Sequence, residues 1–215
     1  MGLLSRTVVT LLLLTCVLGF SQTPPWEIGG AGGYAIAKDN SVLNAGRTGD
    51  VGLQRGFLAS AVAVNHMWDR LSGEFRYVYR KGNPKVESGG TEVRMTGEAH
   101  SVGYDLLLQI KPKEEKIRPY IAFGGGVKVF RGVGEETDFQ PLQDLAVLSK
   151  TQQTEPMLSI GAGVSIRLAP YAVFRVDFRD QVTAFPKKVI LPAPGAELSG
   201  FLHDFLPMAG VSLSF

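Results

Sequence analysis

The chain has 215 residues, 45% of them hydrophobic and 20% charged, with 26 glycines and a formal net charge of +2. That length suits one domain, and no long charged or Ser/Pro-rich linker divides it. Beyond the N-terminus no apolar run is long enough to cross a bilayer as a helix, and no Lys/Arg cluster interleaves with aromatics, which argues against a helical membrane protein and a nucleic-acid partner.

At the N-terminus, Arg6 precedes an apolar run over residues 8–20 that is too short and wrongly flanked for a transmembrane helix. It reads as a secretory signal peptide. Gly19 and Ser21 supply the small residues a signal peptidase needs, so the expected organisation is a signal peptide at 1–21 and a folded domain at 22–215. The single cysteine, Cys16, falls in the removed segment, leaving no disulfide or thiol chemistry. Lipidation of Cys16 is an alternative, although Thr15 is a poor match to the small residue expected before a lipidated cysteine and the apolar run continues past it.

Downstream, apolar residues recur with period two in segments of about the 9–11 residues that a tilted strand needs to cross a bilayer. The segment 26–37 is rich in glycine and its phase is undecided. Leu58, Val62 and Val64 then oppose Ala59, Ala61, Ala63 and Asn65. Phe75, Tyr77 and Tyr79 oppose Glu74, Arg76 and Arg80; Val102, Tyr104, Leu106, Leu108 and Ile110 oppose Ser101, Gly103, Asp105 and Gln109. Ile121, Phe123, Val127 and Val129 oppose Tyr120, Ala122 and Lys128. From Leu158 to Leu168 every second residue is apolar, with Ser159, Ser165 and Arg167 between them. Phe174, Val176 and Phe178 oppose Arg175, Asp177 and Arg179, and 206–215 closes the series.

These segments number about eight. Their connections alternate between short (68–71, 112–119, 169–170) and long (39–56, 82–97, 132–156, 186–204), the asymmetry of periplasmic turns and extracellular loops. The expected fold is all-β, an antiparallel up-and-down transmembrane β-barrel of about eight strands. An exported β chain satisfies its backbone in lipid only as a closed sheet.

Glu74, Arg76, Asp105, Lys128, Arg167, Arg175, Asp177 and Arg179 all lie opposite the apolar face. An Arg or Lys facing lipid at the midplane costs roughly 2–4 kcal/mol. These eight are therefore expected inside the barrel, paired with one another in a lumen too narrow for a wide pore. Trp26, Tyr34, Trp68, Tyr104, Tyr120, Phe123, Tyr171 and Phe215 are expected as interface girdles. Periodicity does not tell inside from outside, so a soluble periplasmic barrel with charges outward and an apolar ligand within is an alternative.

The last residues, Met208-Ala209-Gly210-Val211-Ser212-Leu213-Ser214-Phe215, resemble the C-terminal signal of outer-membrane barrels, alternating apolar residues and ending in Phe. The run Arg118-Pro119-Tyr120-Ile121-Ala122-Phe123-Gly124-Gly125-Gly126-Val127 is similar to the Pro-Tyr and glycine-rich strand of the outer-membrane protein β-barrel domain superfamily, which includes the transmembrane half of outer-membrane protein A. The resemblance implies residence in outer-membrane lipid and recognition of Val211, Leu213 and Phe215 by the barrel assembly machinery. Residues 22–215 are expected to form the barrel alone, so the resemblance does not imply the peptidoglycan anchoring of that family.

The three histidines, His66, His100 and His203, lack metal-ligand spacing, and the glycines at 29–33 and 124–126 lack the helix and Lys-Ser/Thr of a phosphate-binding loop. No cofactor, metal or catalytic residue is expected. Ser199, His203 and Asp204 offer nucleophile, base and orienter for an alternative reading as an outer-membrane lipid hydrolase. The main expectation is a structural or surface-interaction barrel. Its foremost contact surface is the connection at 132–156, which mixes acidic residues with Leu142, Leu145, Val147 and Leu148.

Overall fold

The computed structural model describes residues 26–137, 139–198 and 200–215, so the expected signal peptide and Cys16 lie outside the described residues. In chain order the strands are β1 (Trp26–Ala37), β2 (Asn40–Asn44), β3 (Arg47–Leu53), β4 (Gly56–His66), β5 (Leu71–Lys81), β6 (Pro84–Ser88), β7 (Thr91–Arg94) and β8 (Gly97–Gln109). There follow β9 (Ile117–Gly132), β10 (Ala146–Leu148), β11 (Gln152–Ala169), β12 (Ala172–Ala184), β13 (Ile190–Pro192), β14 (Glu197–Leu198) and β15 (Phe201–Ser214).

Eight of them close a barrel in the order β1-β15-β12-β11-β9-β8-β5-β4, every pair antiparallel. Closure is sealed where β1 pairs Glu27 with Ser214 and Gly30 with Val211, so no barrel edge is left with unpaired peptide groups. Alternate residues therefore point to lipid or lumen. Outward stand Phe75, Tyr77, Tyr104, Leu106, Ile121, Phe123, Ile160, Val176, Phe178 and Leu213, each at least about one-third exposed, while Glu74, Arg76, Arg80, Asp105, Lys128, Arg175, Asp177, Arg179 and Asp204 of the same strands are buried. This orientation is opposite to that of a soluble barrel, which would hide the apolar side chains and expose the charges.

One strand phase and one girdle assignment differ from the sequence expectation. Leu58, Val62 and Val64 face inward and are buried, whereas Phe57, Ala59, Ala61 and Ala63 face outward. Their strand, β4, carries no charge in its middle to mark the lumen side, so size alone misled. Tyr120, expected in a girdle, is an inward residue with 1% exposure. Its ring covers Gly163 on the neighbouring strand, where a β-carbon would stand 2.6 Å from the phenol. Among the remaining girdle aromatics, Trp26, Trp68, Tyr171 and Phe215 are exposed at the short-turn end, while Tyr104 and Phe123 lie well inside their strands.

The long connections are not open loops. Strands from three of them build a five-stranded sheet, β14-β2-β3-β6-β7, and β10 pairs with β13 across the other side. Two tight hairpins make this possible. Ala45-Gly46 and Gly89-Gly90 hold positive φ at both central positions, the twist that two-residue antiparallel turns need. Gln140, itself buried, binds Leu148 through its side-chain amide, donating to the carbonyl at 2.8 Å and accepting the N–H at 2.9 Å, and so serves β10 as an extra strand neighbour.

Under these sheets lies a continuous apolar core: Val42, Val51, Leu53, Val86, Leu142, Leu145, Leu148, Phe185, Ile190 and Leu198 from the connections, with Ala99, Phe130 and Leu202 from the barrel rim. Leu142, Leu145 and Leu148, expected as contact residues, are at most 1% exposed within it. An alternating sheet has two faces, and here the apolar one roofs the barrel.

Candidate functional site

The barrel interior is stacked in three polar layers between the short-turn mouth and the cap. Nearest the turns, Glu27 accepts from Ser212 Oγ at 2.9 Å, binds the Arg175 guanidinium and lies 2.7 Å from His66 Nε2. His66 Nδ1 meets Ser72 Oγ at 2.8 Å.

The middle layer centres on Glu74, which has no solvent exposure. Its carboxylate is 2.6 Å from Arg76, 3.1 Å from Arg179 and 3.2 Å from Arg175. Asp177 bridges Arg76 at 2.5 Å and Arg179 at 3.4 Å, and Asp105 approaches Arg179 at 3.5 Å while accepting from Ser159 Oγ at 3.0 Å. Three arginines thus face three carboxylates in a space without bulk water. Strong attraction in a low dielectric offsets the large cost of desolvating each ion.

In the upper layer Asp204 is fully buried, 2.6 Å from Arg80 Nη1 and 2.6 Å from Lys128 Nζ. Lys128 also donates to Gln181 Oε1 at 3.0 Å, and its ammonium stands 5.6 Å from the Phe130 ring centre, where the cap core begins.

Of the eight charges read from sequence as interior, Glu74, Arg76, Asp105, Lys128, Arg175, Asp177 and Arg179 are buried in these layers. Arg167 stands apart, half-buried at the short-turn mouth with its guanidinium on the Lys113 carbonyl. Sequence reasoning left Glu27, Arg80, Arg118 and Asp204 out of the interior charge set. Glu27 was hidden by the glycine-rich phase of β1. Asp204 falls at the end of the connection expected over 186–204, whereas the last strand begins at Phe201; the β1–β15 ladder skips from Gly33–Met208 to Ile36–Phe205, where Pro207 lacks an N–H.

The hydrolase constellation does not form. His203 and Asp204 are successive residues of β15 and point to opposite faces. His203 pairs with Asp180 at 2.7 Å on the outer side, whereas Asp204 is held by Arg80 and Lys128 inside. Ser199 lies outside the described residues. The third histidine, His100, meets Tyr77 Oη at 2.8 Å on the outward surface.

Val211, Leu213 and Phe215 line the outer face of the last strand with 48%, 55% and 58% exposure. The Phe215 N–H donates to the Trp26 carbonyl at 3.1 Å, so the chain's last residue is stitched to its first strand.

No family model and no curated protein matches the sequence. Solved structures do. Neisserial surface protein A is 13% identical over 89% of this chain and 97% of its own, with a TM-score of 0.55. The outer membrane protein OprG from Pseudomonas aeruginosa is 11% identical over 89% and 97%, with a TM-score of 0.56. The chain therefore has the fold of small outer-membrane β-barrels, a likeness of architecture at low identity.

Proposed function

We propose that this protein resides in the outer membrane as a small β-barrel with a structural or surface-interaction role, its strands anchored in lipid and its cap presented outside the cell. The observation that carries the reading is a lumen filled by ion pairs from Glu27 to Asp204 and roofed by the apolar cap core. An eight-stranded barrel filled in this way offers no passage for solutes, so what remains available for work is the outer surface.

On that surface the contact residues are not Leu142, Leu145 and Leu148, which support the cap from within. Exposed apolar side chains on the cap include Leu43, Phe139 and Leu191, at 43%, 68% and 52%. Aromatic and aliphatic groups standing alone on a polar rim are suited to anchoring a macromolecular partner. During biogenesis the outward row Val211, Leu213 and Phe215 is the element offered to the assembly machinery.

Membrane fractionation followed by gel migration with and without boiling, paired with planar-bilayer recording, tests this reading. It expects outer-membrane recovery, a heat-dependent mobility shift and no stable conductance. Recovery as a soluble periplasmic protein, or steady ion current through the purified barrel, would overturn it.

A further inference from the structure

The short-turn mouth of the barrel holds a cavity of about 240 Å³, lined by Glu27, His66, Arg118, Arg167, Lys113 and Lys116, with Val173 and Pro170 as an apolar wall. Its charge is unbalanced. Arg118 is 7% exposed, yet its guanidinium bonds only to main-chain carbonyls, Asp69 at 2.9 Å and Lys111 at 3.5 Å. Arg167 is likewise held by a carbonyl, that of Lys113. Among the described residues neither arginine has a carboxylate within ion-pair distance.

The two lining carboxylates are engaged elsewhere. Glu27 is committed to His66, Arg175 and Ser212, and Glu115 lies in the turn 3.7 Å from Lys111. Across the barrel as a whole the buried cations are Arg76, Arg80, Arg118, Lys128, Arg175 and Arg179, against Glu27, Glu74, Asp105, Asp177 and Asp204. Arg118 is the member of the six that makes no ion pair.

Strand register concentrates this charge. Arg118 on β9 stands opposite Ser165 on β11, which in turn stands opposite Arg175 on β12. Arg167 occupies the next inward position toward the mouth, a diagonal neighbour of Arg118. Burying a guanidinium beside like charges is costly unless an anion shares the site.

We propose that this cavity binds a phosphate group, free or carried on a phospholipid headgroup, with Arg118 and Arg167 as its principal ligands and Lys113 and Lys116 completing the charge. Planar guanidinium forks match phosphate oxygens in pairs, and flexible ammonium groups add charge without fixing geometry. The cavity also leaves space beside Val173 and Pro170 for the remainder of a small ester.

The test uses the folded full barrel in neutral detergent. One arm titrates sodium phosphate against sodium chloride at equal ionic strength, read by phosphorus NMR. The other dopes the micelles with phosphatidylglycerol and reads bound lipid by native mass spectrometry. The expected result is saturable binding in at least one arm, weakened about 10-fold or more by Arg118→Gln and by Arg167→Gln but not by Lys188→Gln on the cap. Arg167 is half-buried at the rim, so its variant reports even where Arg118→Gln fails to fold. Saturation with phosphate alone assigns a soluble ligand, and saturation with phosphatidylglycerol alone assigns a headgroup. Absence of saturable binding in both arms, or binding that both arginine variants retain in full, overturns the proposal.

Discussion

Glu74 lies 2.6 Å from Arg76 at a depth where the carboxylate has no contact with solvent. The same carboxylate also meets Arg175 and Arg179, so its removal leaves three guanidinium groups facing only Asp105 and Asp177 in the middle layer. Breaking a buried pair from one side typically costs about 3–5 kcal/mol. Glu74→Gln should therefore lower the unfolding free energy of the barrel, read from urea titration in vesicles, by that order. Adding Arg179→Met restores charge balance, and the double variant should recover a clear part of the loss. Strict additivity of the two substitutions would show that the layer does not act as a unit.

The cap stands on Leu145, which is fully buried and packs its Cδ1 where Gly49 of β3 leaves space. Leu145→Ala should weaken the cap by about 2–5 kcal/mol, the usual range for a deleted core leucine. The barrel below, closed by its own ladder, should keep its heat-dependent mobility. Limited trypsin digestion of intact cells should cut the variant quickly at exposed sites such as Arg47, whose pairing with Asp144 at 2.6 Å ties the first connection to the third. Unchanged digestion would mean that the cap does not depend on this core.

How much of this was legible beforehand depended on where charges fell. Between Leu158 and Leu168, and again from Phe174 to Arg179, alternation and charge agree, and the lumen side could be read from the residues alone. In β4 alternation was present but silent about direction, because the lumen there takes Leu58, Val62 and Val64 while lipid meets alanines. The cap was invisible for a different reason. Its sheet pairs Leu198 with Val42 and Val51 with Val86, contacts between separate connections that no local periodicity encodes. Read one connection at a time, the apolar residues at 142–148 looked like an exposed contact surface.

The third connection also contains an acid-sensitive tie. Glu136 accepts the Lys150 main-chain N–H and the Ser149 hydroxyl, at 2.8 Å for the latter, and these donors hold its carboxyl below the ordinary glutamate value. A group whose pKa is depressed by folding contributes stability above its unfolded value, about 4.3, and loses that contribution as pH falls through the folded one. Local hydrogen exchange around Lys150 should therefore speed up in wild type as pH is lowered below about 4.3, after correction for the intrinsic rate. Glu136→Gln should flatten that dependence, and an identical profile in the variant would remove Glu136 as its source.

At the other end of the chain, Phe215 contributes to the folded barrel mainly through its main chain. Its ring is 58% exposed on the lipid side, while its N–H is bonded to the Trp26 carbonyl, a contact that any residue except proline preserves. Truncating an outward ring that packs on lipid removes little protein–protein contact, so Phe215→Ala refolded in detergent should unfold within roughly 1 kcal/mol of wild type. In cells the same variant should accumulate in the periplasm with less heat-modifiable barrel in the outer membrane, if the ring is read during assembly. A parallel loss in the purified, refolded protein would move the role of Phe215 from recognition to stability. Normal assembly in cells would leave Val211 and Leu213 to carry the signal.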